Sequence, residues 1–236
     1  MKSSWKKIWE NKKKKFFGNN INNLLKLNGW DTQVSTFSTN AWNHFVQNII
    51  KKYKIKKEHK ILEIGCGSGA FLIPFYKKKI ACVGLDYSKN LLSVAKKVMP
   101  NAKLYLSEAK NLGQLKKYKF DFIFIHSVFQ YFDNLKYADK VLHNLKPFLR
   151  KETKLFILDV PNHLKKKNWE QDQIGLLGKK AFLKRYKNYK HLFFKKFFFK
   201  QFCKKNNYKI KFLKSNLLKK KSSKYRLNIL IEVKNK

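Results

Sequence analysis

The chain has 236 residues, length enough for one well-buried α/β domain with modest additions, and carries a formal net charge of +41. Such a charge suits a polyanion or an acidic membrane surface, yet lysine supplies nearly all of it along the whole length, and arginine occurs only at Arg150, Arg185 and Arg226. We therefore read it as coding bias toward AT-rich codons before a dedicated nucleic-acid surface, and nothing approaches the roughly 18–20 apolar residues of a membrane span.

Residues 1–7 carry positive charge with no apolar run behind them, so no secretory signal is expected. Residues 1–58 read as helical segments. Trp5, Ile8 and Trp9 mark one apolar face; Ala41, Trp42, Phe45, Ile49 and Ile50 mark another at spacings near three to four. Lys60–Ile64 then predicts a short strand, followed by a glycine-rich turn and a helix from about Ala70 to Lys78. Ile80–Asp86 predicts the next strand, Lys89–Val98 a helix, and Lys103–Leu106 a third strand. Phe120–Ile125 predicts a fourth, almost wholly apolar, as a strand buried on both faces of a parallel sheet should be. A helix from about Tyr137 to Leu145 stops before Pro147, and Lys154–Val160 predicts a fifth strand.

Beyond residue 160 a polar, lysine-rich insertion precedes an aromatic helix around Lys195–Lys205. The helical spacing of Phe193, Phe194, Phe197, Phe198, Phe199 and Phe202 predicts core burial ahead of insertion into a membrane surface. Tyr208–Leu213 and Arg226–Val233 predict two further strands, and the linker Lys214–Tyr225 holds no good crossover helix, so this pair is expected to be antiparallel. The expected fold is α/β: a doubly wound, mainly parallel seven-stranded sheet of Rossmann-like type with a terminal antiparallel hairpin. Residues 1–58 are expected to form an N-terminal helical lid and residues 59–236 the ligand-binding domain. Cys66, Cys82 and Cys203 are isolated, with no Cys-x-x-Cys spacing, which fits a reducing, cytoplasmic compartment better than disulfides or structural zinc.

The chemistry concentrates at Leu62-Glu63-Ile64-Gly65-Cys66-Gly67-Ser68-Gly69, a strand-to-helix turn. Glycines there let backbone approach a ligand closely, and Asp86, at the end of the next strand, can accept hydrogen bonds from both hydroxyls of a ribose. Gly65-Cys66-Gly67-Ser68-Gly69-Ala70 also satisfies the Gly-x-Gly-x-x-Ala pattern of nicotinamide dehydrogenases. Two features favour a cationic sulfonium over a pyrophosphate: an acid, Glu63, two residues before the first glycine, and a third glycine at Gly69.

Leu62–Gly69 resembles motif I of class I S-adenosylmethionine (SAM)-dependent methyltransferases, and the resemblance extends over about residues 60–160. Val83-Gly84-Leu85-Asp86-Tyr87-Ser88 is similar to the family's second strand with its ribose-binding acid. Ser107-Glu108-Ala109 falls where many members place an acid for the adenine amino group, with Glu108 in place of the commoner Asp. Phe120–Phe132 resembles the fourth strand and the loop facing the methyl group, and Asn144-Leu145-Lys146-Pro147 the turn before the fifth strand, without its two usual glycines. The resemblance implies SAM as cofactor, held by Glu63, Gly65, Cys66, Gly67, Gly69, Asp86, Tyr87, Glu108, Ala109 and His126. Cys66 is read as a small residue tolerated in a tight turn rather than a nucleophile, and Asp121 as a structural hydrogen-bonding residue at a strand start.

Methyl transfer from a sulfonium needs alignment and exclusion of water, and a base only if the acceptor must lose a proton. His126, Tyr131 and His163 are the catalytic candidates, with Gln130 in the same loop as Tyr131; His126 could equally just line the cofactor pocket. Trp30, Asp31 and Trp42 are expected near the acceptor, whereas His59, His143 and His191 are read as surface or packing residues. The loop His126-Ser127-Val128-Phe129 lacks the Asn/Asp-Pro-Pro-Tyr/Phe tetrad of base-amine methylation, and no Pro-Cys dipeptide occurs. The pattern looks most like bacterial small-molecule methyltransferases, some of which accompany sugar or surface-polysaccharide biosynthesis. Two alternatives stay open: an RNA methyltransferase using the lysine-rich surface, and a SAM-fold protein that binds without catalysing.

Overall fold

A computed structural model describes residues 4–12, 20–30, 38–187, 189–214 and 221–234. Asp31 and residues 215–220 of the expected linker lie outside these. Strands β1 (Lys60–Ile64), β2 (Ala81–Asp86), β3 (Lys103–Leu106), β4 (Phe122–His126), β5 (Lys154–Pro161), β6 (Tyr208–Leu213) and β7 (Arg226–Val233) form one sheet in the order β3-β2-β1-β4-β5-β7-β6. The first five strands run parallel, and β7 lies between β5 and β6, antiparallel to both. The terminal hairpin expected from the short linker is present.

Alternation along the strands sorts the core onto two faces. On β4, Phe122 and Phe124 enter one cluster and Ile123 and Ile125 the other. The first face is aromatic: Phe124 stacks on Phe156 of β5 at 4.9 Å between centroids and meets Phe71 at 5.0 Å. Helices α3 (Thr39–Lys52) and α4 (Ile73–Lys77) cover it, and the Trp42 indole N–H of α3 donates to the Ala70 carbonyl at 2.9 Å. Helices α6 (Leu135–Leu145) and α9 (Lys196–Lys205) cover the other face. Phe199 and Phe202 of α9 are buried there while Phe197 is 62% exposed, so the aromatic helix is amphipathic and turned to the core. Lys209 and Lys211 point outward from the edge strand β6, where charge discourages pairing with another chain.

Differences from the sequence reading are local. Helix α4 starts at Ile73 rather than near Ala70, because Gly69 and Ala70 belong to the turn and Pro74 favours a first-turn position. Asp121 acts as expected, its carboxylate accepting the Lys60 N–H at 2.7 Å. The polar insertion forms two helices, α7 (Lys166–Leu177) and α8 (Lys179–Tyr186), separated at Gly178 with φ 77°. Three more helices, α1 (Ser4–Glu10), α2 (Ile21–Leu27) and α5 (Lys89–Val98), complete the frame, and α1 and α2 reach the carboxyl-terminal rim of the parallel strands.

Two irregularities sit at that rim. The β5–β7 register shifts between Ile157 and Val160, a bulge that leaves Asp159 at φ 62°, with its N–H taken by Asn228 Oδ1 at 2.9 Å. Ser127, just past β4, has φ 57°. Left-handed backbone at two non-glycine residues costs on the order of 1–3 kcal/mol each and tends to mark functional sites. For the core itself, Phe124→Ala removes a ring held on both sides and is expected to cost about 3–5 kcal/mol in denaturant unfolding. A loss below about 1 kcal/mol would show that this aromatic layer does not carry the core.

Candidate functional site

The turn after β1 sits under the N-terminal helices. Gly65 (φ 77°) and Gly67 (φ 53°) adopt backbone that side chains rarely tolerate. A Cβ on Gly65 would fall 2.3 Å from Val128 Cγ2, and one on Gly67 2.4 Å from Asn28 Oδ1. Asn28, just past α2, accepts the Ser68 N–H at 2.9 Å, and Ser68 Oγ donates to the Leu24 carbonyl at 2.9 Å. Helix α1 is tied down next to it: Ser88 Oγ donates to Trp9 O at 2.9 Å and Asn90 Nδ2 to Glu10 O at 2.7 Å. These bonds roof a cavity of about 490 Å³ at the carboxyl ends of β1, β2 and β4.

Its floor is acidic. Glu63 is 2% exposed, lines the cavity, and its Oε2 has no hydrogen-bond partner among the described residues. Burial, and secondarily the nearby Asp86, raise its pKa well above the usual carboxylate value. Asp86 accepts the Gly67 N–H on Oδ2 and the Ser88 N–H on Oδ1, both at 2.8 Å. Burial pushes it up to about 6, against the pull of those hydrogen bonds. Both of its oxygens keep a lone pair for a ligand hydroxyl. At the other end Glu108 pairs with Lys6 at 2.7 Å and Lys110 at 3.2 Å, and the Lys6 bond foremost holds its pKa below the ordinary value.

Of the expected cofactor residues, Glu63, Gly65, Gly67, Asp86, Tyr87, Glu108, Ala109 and His126 line this cavity together. Cys66 and Gly69 do not. Cys66 is buried, its sulfur so near Gly84 that a Cβ there would lie 2.8 Å away, and a Cβ on Gly69 would meet Met99 at 2.4 Å. Both therefore shape the turn from beneath. Among the catalytic candidates, His126 is buried in an aromatic cage, stacked on Trp30 at 5.7 Å and Phe71 at 5.5 Å, with Trp42 and Phe45 beside it. Tyr131 packs edge-on against Trp5 and Trp9. His163 is exposed on a turn beyond β5 and lines neither this cavity nor the one next to it.

That second cavity, of about 440 Å³, adjoins the first and shares Trp9, Asn28, Trp30, Ser127 and Tyr131 with it. Sequence reasoning passed over several of its residues. Ser127 Oγ donates to Asp159 Oδ2 at 2.5 Å, and Arg226 Nε lies 3.6 Å from Asp159 Oδ1 while its Nη1 donates to Gln130 Oε1 at 3.0 Å. His191, read as a surface or packing residue, lines this chamber and stacks on Trp5 at 5.1 Å. The signal for Ser127 and Asp159 was available, since Ser127 follows β4 and Asp159 lies near the end of β5, both at the ligand-binding rim. Arg226 and His191 reach the site only through long-range packing.

A family model described as a methyltransferase domain matches residues 55–221. Ubiquinone biosynthesis O-methyltransferase of Pelagibacter ubique is 30% identical over 146 residues, 58% of this chain and 60% of that one. The chain spans 27–60% of the length of the curated relatives it matches. A SAM-dependent methyltransferase from Clostridium acetobutylicum superposes with TM-score 0.64 at 15% identity, covering 92% of this chain and all of that one. Magnesium protoporphyrin IX methyltransferase from Synechocystis, solved with S-adenosylhomocysteine, superposes with TM-score 0.63 at 13% identity, covering 91% and 98%.

The residues present fit SAM: an orphaned buried carboxylate answers a cation, and the glycine turn leaves room where any Cβ would intrude. Without a ligand, the raised Asp86 pKa favours folding below the ordinary 3.8, and that contribution is lost as pH rises through about 6. A bound cation reverses the preference by favouring the ionised carboxylates. SAM affinity is therefore expected to rise with pH through about 6, by at most about tenfold per unit for one such group, with proton release on binding. Titration calorimetry in two buffers of different ionisation heat measures this; affinity flat across pH 5–7 contradicts it.

Proposed function

The chain belongs to the methyltransferase-domain family, and on that premise we propose that it transfers a methyl group from SAM to a small-molecule acceptor held in the second cavity. The observation that carries this reading is the juxtaposition at the sheet's rim: a cation-seeking cavity opening through five shared residues into an aromatic chamber of metabolite size. SAM supplies an electrophilic methyl group on a positively charged sulfur that leaves as a neutral thioether.

The chain's own residues hold and orient. Asp86 takes the ribose hydroxyls, Glu63 faces the cationic end, and Tyr87, Glu108 and Ala109 border the adenine side. Glu108 is available to an adenine amino group only in competition with Lys6 and Lys110. Of the expected lid over residues 1–58, α1 and α2 take that part, closing over both cavities through Trp9 and Asn28, whereas α3 packs in the core. Excluding water strengthens every electrostatic interaction beneath them.

Tyr131, Ser127 and Trp30 line the junction where donor and acceptor meet, whereas His126 lines only the first cavity. This favours a cofactor-lining role for His126. Ser127, hydrogen-bonded to Asp159, is placed to pass an acceptor proton to that carboxylate. His163 is too remote for either task. Support for a small acceptor over a polymer comes from the enclosing aromatic walls and from the cavity-mouth lysines Lys6 and Lys110, both engaged with Glu108.

Two outcomes check the reading. Asp86→Ala is expected to weaken SAM binding at least about tenfold, the worth of a charge-assisted hydrogen bond; unchanged affinity in calorimetry contradicts the assignment. Incubation with methyl-labelled SAM and separated metabolite and RNA fractions is expected to label the metabolite fraction. Label confined to RNA would overturn the small-molecule reading.

A further inference from the structure

The second chamber has a chemical character of its own. Its walls are flat and aromatic: Trp5, Tyr131, Trp169, Tyr186 and Tyr189 all line it. Trp5 alone packs against Tyr131 at 4.9 Å, Tyr189 at 5.4 Å and His191 at 5.1 Å. Among the described residues that line it, cations outnumber acids: Lys12, Lys184, Arg185 and Arg226 face one carboxylate, Asp159, already engaged by Ser127 and Arg226. Lys184 and Arg185 are exposed at the rim, whereas the Arg226 side chain is 10% exposed inside.

Among the described residues, three buried polar atoms on its lining lack hydrogen-bond partners, the donor Trp9 Nε1, the acceptor Gln173 Oε1 and His191 Nδ1, while Arg226 Nε faces Asp159 at 3.6 Å without a hydrogen bond. Gln173 is 2% exposed, and an amide oxygen buried that deeply without a partner is destabilising until a ligand supplies a donor. Burial, then the Arg226 charge, push His191 down to about 3, so its ring is neutral and one nitrogen is an acceptor. The lining thus offers orphaned donors and acceptors together, between planar walls and under net positive charge.

We infer that the second chamber is the acceptor site for a planar aromatic acid bearing at least one hydroxyl. The carboxylate meets the Arg226 guanidinium, whose fork matches it; the ring lies between the aromatic walls; the hydroxyl to be methylated faces Ser127 at the junction, and a further hydroxyl can donate to Gln173 or His191. Rim cations Lys184 and Arg185 steer the anion inward. This assignment rests on the methyl-transfer reading and gives it a substrate class.

Calorimetric titration of the full chain, saturated with S-adenosylhomocysteine, uses protocatechuate, its methyl ester and cyclohexanecarboxylate as probes. Saturable binding is expected for protocatechuate, at least about tenfold tighter than for either comparison: the ester lacks the charge, and cyclohexanecarboxylate lacks the aromatic ring and the hydroxyls. Arg226→Gln is expected to weaken it about tenfold or more, as loss of a charged hydrogen bond should, with S-adenosylhomocysteine affinity retained. The exposed Arg185→Gln, which threatens no core contact, is expected to give a smaller loss that added salt removes. The probe series on the unaltered chain decides independently of either variant. Acid and ester binding equally, or no probe binding while S-adenosylhomocysteine does, overturns the aromatic-acid assignment and leaves methyl transfer standing. Failure of S-adenosylhomocysteine itself to bind overturns both.

Discussion

A carboxylate buried without a counter-charge among the described residues is the constraint around which this protein is arranged. Glu63 sits near the end of the central parallel strand β1, beneath a turn of glycine backbone, with one oxygen left without a partner. Asp86 stands at the end of the neighbouring strand and adds a second buried carboxyl to the same floor. Two acids so placed disfavour each other's ionisation, and a fold that keeps them there is destabilised until something positive arrives. On the function proposed above, a sulfonium with an ammonium group close by is that partner, and a pyrophosphate at the same turn would meet repulsion from an ionised Glu63.

The rest of the molecule serves the enclosure of that site. Helices α1 and α2 are anchored by backbone carbonyls to Ser88, Asn90 and Ser68, the very turns that shape the cavity. The same hydrogen bonds that hold α1 and α2 in place therefore also border the cavity. On the opposite flank, α7, α8 and the start of β7 build the second chamber, and the β5 bulge aims Asp159 between Ser127 and Arg226. Two strained residues and an ion pair at the junction of two cavities concentrate cost where alignment matters most.

How much of this was legible in the sequence follows from range. Strands β1, β3, β6 and β7 and helix α5 read out with the bounds observed: β1 and β7 are apolar runs, β6 alternates lysines with apolar residues as a half-exposed edge strand does, and α5 is bracketed by its cap Ser88 and the following Pro100. The glycine turn and Asp86 were legible for the same reason, since motif and elements lie within about thirty residues. Helices α7 and α8 were not, because they bury little beyond Trp169 and Gln173 and show almost no apolar stripe. His191 and Arg226 owe their roles to partners up to 186 positions away, such as Trp5, and no local pattern announces that. His163 was placed at the rim by strand order alone; the chain instead pairs Asn162 with Phe194 and turns outward.

The central claim concerns the protonation of one side chain, and infrared difference spectroscopy observes it directly. At mildly acidic pH the ligand-free protein is predicted to show a protonated-carboxyl band that Glu63→Gln removes and that saturating SAM abolishes. A Glu63 band unchanged by SAM, or no such band to begin with, would contradict the account.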